Sequence, residues 1–226
     1  MKVLELFSGT GFISNEFKKR GHKTLTIDWD IDLKPDIPMD IEYLTVDIIK
    51  QYLGIPDVIW IAFDCTTFSL AGISHHRDKN WYTGNFDARS DYAKKCDAVN
   101  THVLYILEQL REINPNLIFF IENPRACLQK MNYMQPYEKY KYVITYCQYL
   151  QDKPFMERYM KPTNIWTNHP DPKFKPPCKN GSNCHPYTPR GTTTHGLQGI
   201  KDKVMKSAYP EQLIKHIADT CEECFT

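Results

Sequence analysis

Short apolar runs recur through the first three quarters of the chain, and stretches of helical period lie between them. Lys2 to Phe7 reads as a strand. Phe12 to Arg20 reads as a helix closed by Gly21, and Thr24 to Ile27 as a second strand ending at Asp28. A weaker strand is expected to end at Asp47. Val58 to Phe63 and Leu117 to Ile121 are continuous apolar runs of the kind buried on both faces of a parallel sheet. Ser90 to Ile113 holds a long helix, with Val103, Ile106, Leu107 and Leu110 on one stripe, and Asn114-Pro115-Asn116 ends it. Tyr142 to Tyr146 and Thr163 to Thr167 are further strand candidates. From Tyr209 the chain is helical again, with Leu213, Ile217 and Cys221 on one face. Strands alternating with helices predict an α/β fold, a mostly parallel sheet with helices on both faces.

The pattern fails from His169 to Gly199, which is rich in Pro, Gly, Asn, Thr and Cys and poor in apolar residues. It reads as a small loop-rich insert. With 226 residues and a 42% hydrophobic fraction, the chain has enough material for one ordinary core. A net charge of +1 neither supports nor excludes a nucleic-acid partner, so any basic surface must come from local clustering. No apolar run reaches the roughly 18 residues of a membrane span, and the apolar N-terminal run is too short for a secretory signal. An intracellular monomer is expected, with its eight cysteines mostly reduced.

Three strand ends carry the chemistry. Leu6-Phe7-Ser8-Gly9-Thr10-Gly11 lies between a strand and a helix, and Asp28 ends the next strand. Glycines there permit a tight turn and close approach to a ligand, while the acid suits ribose hydroxyls. An ordinary strand-to-helix turn explains the glycines equally well. Asp57 to Ser69 is a buried strand running into a polar loop that contains Cys65. A cysteine at the carboxyl end of a strand can be a nucleophile, or a small buried hydrophobe. Ile118 to Pro124 ends another buried strand in Glu122-Asn123-Pro124, where Pro124 fixes the turn. That glutamate is either a site acid or the cap of a following helix.

Taken in order, Leu-Phe-Ser-Gly-Thr-Gly, Asp-Cys-Thr-Thr-Phe-Ser and Glu-Asn-Pro resemble three motifs of the DNA cytosine-C5 methyltransferase family: the cofactor loop, the Pro-Cys-Gln-x-Phe-Ser catalytic loop and the Glu-Asn-Val motif. The resemblance covers residues 1 to 167 and the C-terminal helix, and it looks closest to short viral or phage-borne members. It implies a Rossmann-like class I S-adenosylmethionine-dependent fold. Residues 1–167 and 204–226 would form the catalytic domain, and 168–203 a target-recognition-like insert.

By that resemblance, Phe7, Ser8, Gly9, Thr10, Gly11 and Phe12 would hold the methionine part and sugar of S-adenosylmethionine, and Asp28 the ribose. Trp29 would stack on adenine, Asp47 with Ile48 would take its amino group, and Phe63 would line the pocket. Cys65 would attack C6 of a cytosine flipped out of double-stranded DNA, with Glu122 and Asn123 holding the base. Ser69, Arg77, Arg158 and Lys161 would contact the nucleic acid; His75 and His76 precede Arg77 in a basic cluster. Two positions depart from the motifs. Asp64 replaces the family's proline, and a negative charge there should raise the Cys65 pKa. Thr66 replaces its glutamine. The family's Gln-x-Arg-x-Arg segment has no clean equivalent near Gln148, Arg158 and Lys161.

In the insert, Cys178, Cys184, His185 and His195 are of the types zinc takes, but Cys-x5-Cys is longer than usual zinc spacings, and no metal ligand is assigned. Cys221 and Cys224 have the better spacing, although on a helix that is commonly one packed face. Lys173, Lys175, Lys179, Arg190 and Lys201, with Tyr187, could follow a nucleic-acid backbone or form a solvated loop. Three other readings stay open. They are the same chemistry on tRNA, a relative that binds cofactor or nucleic acid without turnover, and a dithiol oxidoreductase resting only on Cys221 and Cys224.

Overall fold

A computed structural model describes residues 1–189, 191–194 and 196–225; Arg190 and His195 lie outside them. The main sheet has seven strands: β1 (Lys2–Leu6), β2 (Lys23–Asp28), β3 (Ile37–Pro38), β4 (Val58–Ala62), β7 (Ile118–Pro124), β8 (Lys141–Thr145) and β9 (Pro162–Thr167). A separate antiparallel hairpin pairs β5 (Arg77–Lys79) with β6 (Phe86–Ala88). The large sheet runs in the order β3-β2-β1-β4-β7-β9-β8. All its neighbours pair parallel except β9, which runs against both β7 and β8. This is the Rossmann-like class I arrangement expected from the sequence.

Each central strand alternates between two cores. Val3, Val58, Trp60, Ile118 and Phe120 face helices α1 (Phe12–Lys19) and α7 (Glu211–Cys224), where Ile13, Phe17, Leu213, Ile217 and Cys221 complete one apolar layer. Leu4, Leu6, Ile59, Ile61, Phe119 and Ile121 face the other way, onto α2 (Val46–Tyr52) and α4 (Asp91–Ile113). Strands buried on both faces read as unbroken apolar runs, which is how β4 and β7 appear in the sequence. The α4 start is fixed by Ser90, whose Oγ accepts from Ala93 N at 3.1 Å. The α7 helix is tied to the start of the fold by Arg20, which pairs with Asp219 and Glu222.

Two segments differ from expectation, and a third follows it with two short helices added. Asp47 does not end a strand: Thr45 caps α2 with its hydroxyl on Ile48 N, so Asp47 lies in a helical turn, and the third strand is the two-residue β3. The segment after Cys65 contains a short helix, α3 (Ile73–His76), and the hairpin. Beyond β9 the described residues form no further strand, only α5 (Gly196–Gly199) and α6 (Lys203–Ser207) before α7. None of the described helices is long and apolar enough to cross a membrane.

Glu5 stands out as a charged residue inside the apolar β1. It shares the face of Val3 and points at α1, whose N-cap is Gly11 and so offers no capping side chain. Its carboxylate takes that role, accepting from Ser14 N at 2.7 Å and Ile13 N at 3.4 Å. Burial raises its pKa from 4.5 to about 7, against the lowering effect of those bonds. The native chain therefore holds this proton more tightly than the unfolded chain. The stabilisation is complete below pH 4.5 and is lost as pH rises through about 7. At roughly 1.4 kcal/mol per unit, the loss is about 3 kcal/mol. Urea unfolding of wild type and Glu5→Gln at several pH values should show the wild-type advantage shrinking by about that amount, and a difference independent of pH would contradict the assignment.

Candidate active site

Two loops leave the carboxyl ends of β1 and β2 side by side. Phe7, Gly9 and Gly11 all sit in the left-handed region, with φ of 55°, 52° and 68°. For Phe7 that conformation costs roughly 1–2 kcal/mol, and such strain collects at ligand-binding loops. A Cβ on Gly9 would meet nothing within 4 Å, so glycine is needed there for its backbone angles. The loop is docked by Ser8 N on Ile27 O at 3.3 Å and by Gly9 N on Asp28 Oδ2 at 2.8 Å. The buried hydroxyls of Ser8 and Thr10 have no hydrogen-bond partner among the described residues. Trp29, next to Asp28, is 72% exposed. The Phe7 and Phe63 rings meet edge-on with centroids 5.7 Å apart, joining this loop to the end of β4.

The acid beyond the third strand is Asp40, not Asp47. Asp28 pairs with Pro38, and Met39 N donates to Asp28 O at 2.8 Å, so Asp40 and Ile41 emerge beside Asp28. Asp47 is exposed on the first turn of α2, and Ile48 packs toward the α4-side core. The pair Asp40-Ile41 has the same two-residue wording as Asp47-Ile48, so only the position of β3 distinguishes them.

Next along the sheet, β4 and β7 are parallel neighbours, with Ala62 opposite Glu122. Asn123 Nδ2 donates to Phe63 O at 2.8 Å, fixing the root of the Cys65 loop to the strand that carries Glu122. Asn123 is wholly buried, and its Oδ1 has no hydrogen-bond partner among the described residues. Beyond Phe63 the chain makes a tight turn in which Phe68 N and Ser69 N both donate to Cys65 O. Gly72 closes it: a Cβ there would lie 2.1 Å from Thr66 O.

Glu122, 5% exposed, sits on the α1 and α7 side of the sheet. Its carboxylate accepts from Tyr146 OH at 3.4 Å and Tyr209 OH at 3.5 Å. Trp60 Nε1 in turn donates to Tyr209 OH at 3.4 Å. Lys161, only 8% exposed, places Nζ 4.7 Å from the Tyr146 ring centre. Burial pushes Glu122 above the ordinary carboxylate range, against the pull of Lys161 and the two phenols. The Cys65 residue reaches solvent, yet the crowding around its thiol raises its pKa, the Glu122 charge raises it further, and Lys161 lowers it. Asp64 adds a smaller upward push. Its carboxylate is turned onto Thr66 N at 2.7 Å and onto the Tyr92 hydroxyl.

The remaining basic residues are elsewhere engaged. Arg77, expected at a phosphate, is 3% exposed. It pairs bidentately with Asp97 at 2.8 and 2.9 Å, donates to Thr67 O and Oγ1 at 3.0 Å, and lies 4.1 Å over the Phe68 ring. Its role is to fasten the Cys65 loop to α4. Arg158 spends its guanidinium on Gln151 and on Lys153 O. Ser69 Oγ accepts from Gly72 N within the turn. The sequence reading missed Glu5, Asp40, Tyr146 and Tyr209. A charge inside an apolar strand could have flagged Glu5; nothing local marks the two tyrosines.

The chain matches no protein-family model and no curated protein. Among solved structures it is similar to the Dnmt2 methyltransferase of S. pombe, with a TM-score of 0.46 and 13% identity, over 73% of this chain and 48% of that one. It is similar also to a substituted DNMT2 of Spodoptera frugiperda, with a TM-score of 0.45 and 16% identity, over 89% of this chain and 60% of that one. The chain thus aligns with 48% and 60% of the lengths of these two structures.

Alkylation of Cys65 by iodoacetamide, followed by mass spectrometry over a pH series, reads the two charges around it, because the thiolate is the reactive form. Lys161→Met should move the midpoint to higher pH and Glu122→Gln to lower pH. Identical midpoints in all three proteins would separate the thiol from both groups. Gly72→Ala should cost about 1–3 kcal/mol of stability, the range for forced overpacking, measured by urea unfolding; an unchanged midpoint would show that the Thr66 carbonyl can move aside.

Proposed function

We propose that the chain is a cytosine-C5 methyltransferase that uses S-adenosylmethionine, with cytosine in double-stranded DNA as its substrate. The observation that carries this reading is the convergence of Cys65 and Glu122 on the ends of two paired parallel strands, beside the Gly9 and Asp28 loops. In α/β sheets, ligands bind beyond the carboxyl ends of the strands.

The cofactor side fits a methionine-bearing nucleoside. Ser8 and Thr10 hydroxyls supply unfilled hydrogen bonds, and Asp28 keeps further lone pairs for ribose hydroxyls. Trp29 presents an open face to adenine, and Asp40, which already pairs with Lys95 Nζ at 2.6 Å, would accept from the adenine amino group. When bound, S-adenosylmethionine supplies an electrophilic methyl group.

On the substrate side, Cys65 adds as thiolate to cytosine C6, which makes C5 electron-rich. Glu122, whose pKa burial raises above the ordinary carboxylate range, holds the N3 edge through a shared proton and so draws charge into the ring. Lys161 balances the negative charge that builds between Cys65 and Glu122. Loss of the C5 proton to a water molecule and expulsion of the thiolate, with the N3 proton returning to Glu122, restore the ring and the enzyme. The base must leave its stack to reach Cys65, so base flipping is part of the proposal.

Incubation with labelled S-adenosylmethionine and, separately, DNA and tRNA should label C5 of DNA cytosine. Cys65→Ser and Glu122→Gln should each lower the rate by about 10²-fold or more. Label on tRNA alone would replace DNA as the substrate. Cofactor binding without transfer to either would leave a binding protein.

A further inference from the structure

Four side chains with no part in that reaction meet beside the cleft. Cys147 follows Tyr146 directly in the turn after β8, and Cys178, Cys184 and His185 come from the segment between β9 and α7. One ligand atom from each lies within 4.8 Å of all the others. Cys147 Sγ is 2.9 Å from Cys178 Sγ and 3.8 Å from Cys184 Sγ. His185 Nδ1 is 3.2 Å from Cys184 Sγ and 3.7 Å from Cys178 Sγ. Bond lengths of about 2.3 Å to sulfur and 2.05 Å to nitrogen place tetrahedral zinc ligands about 3.8 Å apart for two sulfurs and about 3.5 Å for sulfur and nitrogen. The sulfur–nitrogen distances bracket their value, the Cys147–Cys184 distance matches its own, and the Cys147–Cys178 pair lies closer than a bound ion would hold it.

The geometry points to a structural zinc site formed by Cys147, Cys178, Cys184 and His185. Four protein ligands close the coordination sphere, which suits a structural ion rather than a catalytic one.

Local folding explains how an unusually long ligand spacing works. Between Cys178 and Cys184 the chain turns back on itself, with Gly181 at φ 92° and Ser182 N on Lys179 O at 3.0 Å. Asn180 then clasps Thr188 through both its amide atoms, at 2.8 and 3.2 Å. The extra residues are absorbed in this knuckle, and the two sulfurs return to one place. Thr145 and Gln148 surround the sulfurs with donors: Thr145 Oγ1 lies 3.4 Å from Cys178 Sγ, and Gln148 Nε2 lies 3.6 Å from Cys184 Sγ. Metal thiolates need such outer partners. The Cys147 and Cys178 sulfurs are closer than ordinary non-bonded contact and farther apart than the ~2.05 Å of a disulfide. On binding, Zn²⁺ displaces the three thiol protons to solvent, leaving a net charge of −1 on the centre.

The segment also requires an anchor, since it has few apolar residues with which to build a core. The better-spaced pair near the end does not supply one. Cys221 is buried under α7, and Cys224 Sγ meets only His169 Nε2, at 3.1 Å, with no third ligand among the described residues.

The test is independent of methyl transfer. The full chain, expressed with zinc and purified under reducing conditions without chelator, should carry one zinc by inductively coupled plasma mass spectrometry. After chelator treatment, added Co²⁺ should give the thiolate charge-transfer and visible bands of a tetrahedral sulfur-rich site. A Cys178→Ser, Cys184→Ser double variant should retain under about a tenth of the metal, while Cys224→Ser keeps full stoichiometry. Wild-type protein that lacks zinc and shows no cobalt bands would overturn the site, whatever the variants do. So would full zinc in the double variant, or a Cys147–Cys178 disulfide persisting in reducing buffer. A chain that binds zinc and transfers no methyl leaves this inference standing and removes only the proposed reaction.

Discussion

Everything in the cleft depends on the parallel pairing of β4 with β7, in a register that sets Ala62 against Glu122. A shift of one residue would turn Glu122 to the opposite face, away from Tyr146 and Tyr209 and into the apolar layer under α4. Both strands are buried on both faces, so no polar-out pattern fixes that register. The Asn123 amide does so in part, through its bond to the Phe63 carbonyl at the point where β4 becomes the Cys65 loop. The same bond sets how far the thiol lies from the carboxyl.

The electrostatics follow from that placement. Two buried carboxyls, Glu5 and Glu122, lie on the same face of the sheet with raised pKa values, yet they are held differently. Glu5 takes backbone amides at the start of α1 and serves the helix. Glu122 takes only long bonds from two phenols and has a buried lysine for a neighbour, leaving room on its carboxyl for another partner. A fully satisfied buried acid is structural, whereas one with spare capacity beside a thiol is suited to chemistry.

The mostly parallel sheet, its two helical layers and the strand-end positions of Gly9, Asp28, Cys65 and Glu122 were legible in the sequence, because each of those positions lies at the junction of an apolar run and a polar turn. What was not legible depended on distance in the chain. Asp40 and Asp47 carry equivalent wording, and a two-residue strand leaves no periodicity to choose between them. Arg77 looked like a surface charge because its partner, Asp97, is a helix away in the sequence. The four-residue sulfur and histidine cluster escaped for the same reason: Cys147 belongs to the turn after β8, and only the fold brings it to the insert.

The reversed direction of β9 has one more effect. Its pairing with β8 makes a stem, and Tyr146 and Lys161 sit at the mouth of that stem, joined by a bond from Tyr146 N to Lys161 O at 3.2 Å. The two side chains that tune the acid are thus neighbours across a ladder, although the intervening strap separates them in the chain. In such a design the outer part of the strap, around Pro154 and Phe155, can change length or composition while the stem holds the charge pattern of the cleft constant.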